Sequence, residues 1–171
     1  MRILRRACAV LSVAWALALP LATWCASRPE NRGRAAYAFA LGTYAIGSLV
    51  CHQRPERSFF LLGLQMPVCA RCVGLYTGAA IAALCASSMA MTTATRRASQ
   101  TVARARAMWW DIGAARLALA TSSLPTAATL AYEWTTGSMP ANVIRAVAAC
   151  PLGAVVGWIL TRPGRGRGEI N

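Results

Sequence analysis

The sequence predicts an all-α integral membrane protein: a polytopic bundle of four to five spanning helices with one short re-entrant or interfacial segment. Three observations predict it. Of the 171 residues, 57% are apolar and the mean hydropathy is +0.44, whereas soluble domains average roughly 45–50% apolar with glycine counted. Only 13% are charged, against about 25% in soluble domains. The apolar residues gather in five runs, near 7–26, 35–50, 73–91, 112–134 and 141–160, and long runs with few charges read as bilayer-spanning helices. The length suits one membrane domain over residues 1–160, followed by a basic tail, 161–171, expected to be disordered.

The first run, Ala7 to Ala26, follows a basic start at Met1–Arg6 and holds Trp15 and Trp24. Basic and apolar regions in that order also open a signal peptide, but the run is long and no clean A-x-A site follows, so a retained helix is expected. After a polar connector with Pro29 and Gly33, Ala35 to Val50 is 16 residues long. That is short of the ~20 a perpendicular crossing needs, so it either spans a thinned bilayer or lies partly in the interface. Phe59 to Met66 is apolar over only 8 residues, which suggests the re-entrant or interfacial turn. Val73 to Met91 opens with Gly74-Leu-Tyr-Thr-Gly78, and Gly153 and Gly157 recur in the last run. Small residues four apart allow a neighbouring helix to approach closely, although alanine-rich composition alone produces such spacings. Thr92–Arg106 is basic, and Trp109 and Trp110 after it suggest the headgroup level. Ile112–Trp134 contains Pro125 among Ser122, Ser123, Thr126 and Thr129, hydroxyls able to satisfy backbone groups that a proline frees.

The formal net charge is +13 and every basic residue is arginine. A nucleic-acid surface needs the basic residues on one folded face. Here they fall in short connectors between apolar runs, which is how membrane topology is encoded, so nucleic acid is excluded as a partner. The partners read from the sequence are the lipid bilayer, with a homo-oligomer left open. With Cys51–Cys72 outside and five spans, ten connector arginines lie inside: Arg28, Arg32, Arg34, Arg96, Arg97, Arg104, Arg106, Arg162, Arg165 and Arg167. Six lie outside: Arg2, Arg5, Arg6, Arg54, Arg57 and Arg71. The positive-inside rule therefore favours a cell-membrane protein with an extracytoplasmic cysteine loop. A four-span version, in which the second run does not cross, gives the same count.

The chemistry is concentrated between Cys51 and Gly78. That stretch holds Cys51, the sole histidine His52, the pair Cys69-Ala-Arg-Cys72, and Arg54, Arg57 and Arg71. Two thiolates in a C-x-x-C can grip one metal ion from a single turn, and zinc takes Cys3His sets in tetrahedral geometry. The first reading is thus a zinc site at Cys51, His52, Cys69 and Cys72. Adjacent Cys51 and His52 make an awkward ligand pair, so three thiolates with His52 supporting them is the fallback. The second reading is a membrane thiol–disulfide oxidoreductase using Cys69 and Cys72 with Cys51 as a relay. Arg71, Arg54 and Arg57 would activate the thiols, and an outward face would meet an oxidising compartment. The third reading is a structural or transport protein without catalysis, for which no run shows a repeated polar lining. Cys8, Cys25, Cys85 and Cys150 sit in apolar runs and read as small buried hydrophobes.

Two crossings separate the Cys51–Cys72 loop from the turn at Thr135–Pro140, so both lie on one membrane face. Glu133, Asn142 and Arg145 flank that turn. Ionisable groups near a bilayer core are usually paired or functional, and a hairpin could bring Glu133 and Arg145 together as an interfacial salt bridge. Asn142 is expected to cap the last helix.

At Cys51-His-Gln-Arg-Pro-Glu-Arg-Ser-Phe-Phe60 and Pro67-Val-Cys-Ala-Arg-Cys-Val-Gly74 the chain resembles the predicted bacterial and archaeal membrane proteins grouped as domain of unknown function 2085. The resemblance covers roughly Val50 to Gly157 and extends to an N-x-x-R element at Asn142 and Arg145. Members often carry an Asp where Glu133 stands here, and small residues where Ala149 and Cys150 stand. The resemblance implies a membrane protein and no settled activity.

Overall fold

The computed structural model describes residues 2–27, 33–95 and 112–161. The five apolar runs are five helices: α1 Arg2–Ala26, α2 Gly33–Val50, α3 Ala70–Thr95, α4 Ile112–Thr136 and α5 Asn142–Thr161. The expected tail beyond Thr161, the arginines between Arg96 and Arg106, the pair Trp109–Trp110 and the connector 28–32 lie outside the described residues.

One element differs in kind from the expectation. The apolar segment after Phe59 is a β-hairpin rather than a re-entrant turn, so the chain is mostly helical but not all-α. Strand β1, Ser58–Leu61, pairs antiparallel with β2, Leu64–Cys69. Leu62 and Gly63 form the turn, with φ of 54° and 79°, the two positive values that let a two-residue turn match the strand twist. The register shifts between Ser58 and Phe60. Such an irregularity lets Pro67, which has no N–H to donate, sit inside the partner strand. A one-turn 3₁₀ segment, Pro55–Arg57, leads into β1.

Helices α3 and α5 form the spine and run parallel. Their seam advances in step: Gly74 meets the backbone of Ala146 and Gly78 that of Cys150, while Gly153 meets Leu75 and Gly157 meets Ala79. A Cβ added at Gly74 would lie 1.9 Å from the Ala146 carbonyl oxygen, and one at Gly153 would lie 2.0 Å from that of Leu75. The two small-residue spacings therefore mark a real interface, not a by-product of composition. Parallel neighbours require the intervening α4 to return the chain. It ends at Gly137, φ 68°, whose N–H bonds the Glu133 carbonyl, a left-handed helix stop that favours glycine.

Around the spine, α1 packs on α3, α5 and the hairpin, and α2 packs on α1 and β2. The Trp15 and Tyr76 rings meet edge to face with centroids 6.0 Å apart. Thr126, expected to serve the backbone near Pro125, instead donates across to the Ala148 carbonyl at 2.9 Å, tying α4 to α5. Ser122 and Ser123 donate to carbonyls three residues back, at Leu119 and Ala120.

The interior is mostly small residues, including Ala22, Ala83, Ala148 and Ala149, with a cluster of Leu19, Met66 and Val68, and it also buries Arg145. Leu11, Leu17, Ile81, Leu84, Leu117, Leu124 and Val147 face outward. Water-soluble proteins place such large aliphatic side chains inside; a lipid-facing exterior needs them outside. Among the described residues, two helices are long and apolar enough to cross a bilayer, Ile3–Ala26 and Asn142–Thr161, while Ala70–Ala86 is a shorter apolar stretch. Length and composition thus support two spans rather than the four to five expected. The physical reason lies in what dilutes the others: Arg34, Tyr37 and Thr43 in α2, and Arg116 with Thr121, Ser122 and Ser123 in α4.

Candidate thiol and arginine site

Three elements each deliver one sulfur. Cys51 follows the last turn of α2, its N–H bonded to the Gly47 carbonyl at 2.9 Å. Cys69 ends β2, and Cys72 stands in the first turn of α3, which begins three residues earlier than the apolar run suggested. The three Sγ atoms lie within 4.8 Å of one another. Cys69 and Cys72 are 3.6 Å apart, and the Cys69 N–H donates to the Cys51 sulfur at 3.2 Å. All three are free thiols. A tetrahedral zinc with Zn–S of about 2.3 Å would separate its sulfurs by roughly 3.8 Å, so the cluster fits such an ion with small adjustments. His52 is exposed and does not join the group; it lines the same cavity as the cysteines. Three protein ligands with a free fourth position is the pattern of reactive rather than purely structural zinc sites.

Two glutamines and a tyrosine, unremarked in the sequence, hold the cluster in place. Gln53, at a positive φ of 48°, donates its amide to the carbonyls of Tyr44, at 3.1 Å, and Pro67, at 2.6 Å. Gln65 donates to the Gln53 carbonyl and to Ser58 Oγ, and its own carbonyl accepts from the Tyr44 hydroxyl. These bonds lock the end of α2 onto β2, and so Cys51 onto Cys69. One signal was available: Gln65 is the single polar side chain in the apolar stretch Phe59–Met66.

Beside the sulfurs, three arginines surround one carboxylate. Glu133 Oε1 accepts from Arg71 Nη2 at 2.5 Å and from Arg145 Nε at 2.9 Å. Arg57 Nη2 lies 3.9 Å from Oε2. The Glu133–Arg145 pair spans the α4–α5 hairpin, and Arg71 joins it from α3. Asn142 does not act as the expected cap. Its amide donates to the Ser58 carbonyl at 2.9 Å, and its oxygen lies 3.3 Å from Arg145 Nη1, linking hairpin, α5 and guanidinium. Arg54 lines the cavity from the exposed side.

Cys69 is held down to about 5 by the Cys72 thiol hydrogen-bonded to its sulfur, against the opposing effect of burial, with help from the backbone N–H groups of Cys72 and Arg71. Cys72 is pushed up, because its proton is held in the hydrogen bond to the Cys69 thiolate, and burial and that neighbouring negative charge disfavour a second thiolate alongside. The pair therefore behaves as one thiolate and one thiol. In metal-free protein, iodoacetamide should label Cys69 at a rate that is full by pH 7 and half-maximal near pH 5, where an ordinary thiol reaches that point near about 8.5. Peptide mass spectrometry reads the site; labelling that begins only above pH 8 would show that the two sulfurs do not share a proton.

An uncharacterized protein of Methanocaldococcus jannaschii is 66% identical over 35 residues, which is 20% of this chain and 22% of that protein. An uncharacterized protein of Methanothermobacter thermautotrophicus is 53% identical over 30 residues, 18% of this chain and 27% of that protein. The matched segments thus span about a quarter of the length of these curated relatives. No solved structure matches the chain. The family model for the predicted membrane proteins of domain of unknown function 2085 matches residues 51–159, from the first cysteine of the cluster to the end of the glycine seam, and the chain belongs to that family.

Proposed function

We propose that the protein is a multi-pass cell-membrane metalloprotein that binds zinc through Cys51, Cys69 and Cys72 on its extracytoplasmic face. The observation that carries the reading is the meeting of three sulfurs, from three separate elements, within 4.8 Å. An accidental cluster of cysteines would not need the Gln53–Gln65–Tyr44 scaffold that holds two of those elements together. In this reading α3 and α4 cross the bilayer with α1 and α5, making four spans, or five if α2 crosses as well. The parallel run of α3 and α5 supports it, since α4 must then return, and the arginine count supports the outward face. His52, exposed on the same cavity, supports the site only by its nearness.

The test is elemental analysis of the full-length chain purified in detergent. About one zinc per chain is expected, falling below a tenth of that in Cys69→Ser. Wild-type protein that takes up no zinc, or a variant that keeps it, would end the proposal. The rival thiol–disulfide reading draws on the 3.6 Å separation and the lowered Cys69 thiol. It is favoured instead if alkylation before and after reduction shows Cys69 and Cys72 joined in the protein as isolated.

A further inference from the structure

The arginine ring is unbalanced. Three guanidiniums, Arg57, Arg71 and Arg145, face the single carboxylate of Glu133, which leaves a formal charge of +2. Arg145 is only 1% exposed. Among the described residues its Nη2, with Nε of Arg57 and Nε of Arg71, is buried and donates to no protein atom. Buried donors in native proteins are almost always matched, and those that are not call for an explanation such as a bound ion. All three arginines line one cavity of about 490 Å³ that also reaches the three cysteines. That volume falls within the roughly 300–1,000 Å³ typical of small-molecule pockets.

We propose that this cavity is a phosphate-binding site, with Arg57, Arg71 and Arg145 as the donors to the phosphate oxygens. Charge selects the class. A phosphomonoester carries about −1.5 to −2 at neutral pH, which matches the residual +2 of the ring, to which the exposed Arg54 adds from the cavity's outer side; a carboxylate would leave at least half of it uncompensated. Geometry agrees, because the planar guanidinium fork pairs with phosphate oxygens two at a time. Arg71 and Arg145 stand in the first turns of α3 and α5, two long parallel helices whose positive ends therefore reach the same face. The cavity exceeds a bare phosphate, so the group belongs to a larger phosphorylated molecule whose remainder lies toward Cys51, Cys69 and Cys72. None of this depends on the zinc reading, since no cysteine serves as a phosphate donor. The source is either a soluble phosphorylated compound or the headgroup of a phosphomonoester lipid.

Full-length protein in detergent would be titrated separately with inorganic phosphate and with micelles containing phosphatidic acid, using phosphatidylcholine micelles as the control. Saturable binding of inorganic phosphate, with a rise in melting temperature, supports the site and points to a soluble ligand. Binding of phosphatidic acid alone supports it and points to lipid. In either case Arg57→Gln should weaken binding at least ten-fold, and Arg57→Lys, which keeps the charge but loses the fork, several-fold. Circular dichroism checks that both variants fold. The inference is overturned if neither probe binds the wild-type chain above the control. It is equally overturned if both Arg57 variants bind as the wild type does.

Discussion

Replacing Glu133 with glutamine should destabilise the fold by about 3–5 kcal/mol, the range seen when one partner of a buried ion pair is removed. Glu133 is buried at 8% exposure, and Arg145 beside it is at 1%. In the variant, the buried Arg145 and the largely buried Arg71 would lose the carboxylate they share. The three pairs do not contribute equally. The Arg57 contact, at 3.9 Å with the arginine side chain 35% exposed, is a screened pair worth at most about 1 kcal/mol. The loss therefore comes from Arg71 and Arg145. Glu133→Asp, which keeps the charge one methylene shorter, should recover most of it. Thermal and denaturant unfolding in detergent, followed by helical circular dichroism, would measure the series. A Glu133→Gln protein within 1 kcal/mol of wild type would mean that the buried arginines are neutralised by something other than this carboxylate.

Gly74→Leu and Gly153→Leu should each lose the packed fold, because the seam has no room even for a methyl group. The obstructing atoms are backbone carbonyls at 1.9 and 2.0 Å from the new Cβ, so no side chain can turn away to make space. Overpacking costs about 1–3 kcal/mol where side chains can adjust, and occasionally more; here α3 and α5 must separate along their length. That separation would carry Arg71 and Cys72, in the first turn of α3, away from Arg145 in the first turn of α5. Zinc content and Cys69 labelling should therefore change together with stability. Gly42→Ala in α2 is the control, since nothing lies within 4 Å of its added Cβ; it should be neutral or gain up to about 1 kcal/mol of helix propensity. Seam variants that melt with the wild type would show that α3 and α5 do not pack as described.

The glycine seam was visible in the sequence only as two spacings that an alanine-rich chain also produces by chance. A contact between α3 and α5 decides between interface and accident, and no local pattern records it. The hairpin was missed for a related reason. Eight apolar residues read equally well as an interfacial turn or as two short strands, and the deciding feature is the pair of positive φ values at Leu62 and Gly63. His52 shows the limit of reading ligands by proximity along the chain. His52 lines the same cavity as Cys51, yet only the three sulfurs come together as a group. Asn142 looked like a helix cap because its position is right for one, but its oxygen accepts from the Arg145 guanidinium while its amide donates to the Ser58 carbonyl.

What the sequence determined by itself is the set of helices and the few residues able to carry chemistry. Hydrophobic runs and their breaks are local, and the scarcity of polar side chains makes each one conspicuous. Tertiary structure alone decided how those residues combine: three sulfurs from three elements, and three arginines on one carboxylate beside an open cavity. Arg71 and Glu133 are 62 residues apart along the chain. The close approach of α3 and α5, set by glycines that place backbone against backbone, together with the packing of α4 on α5, brings their charges within one hydrogen bond.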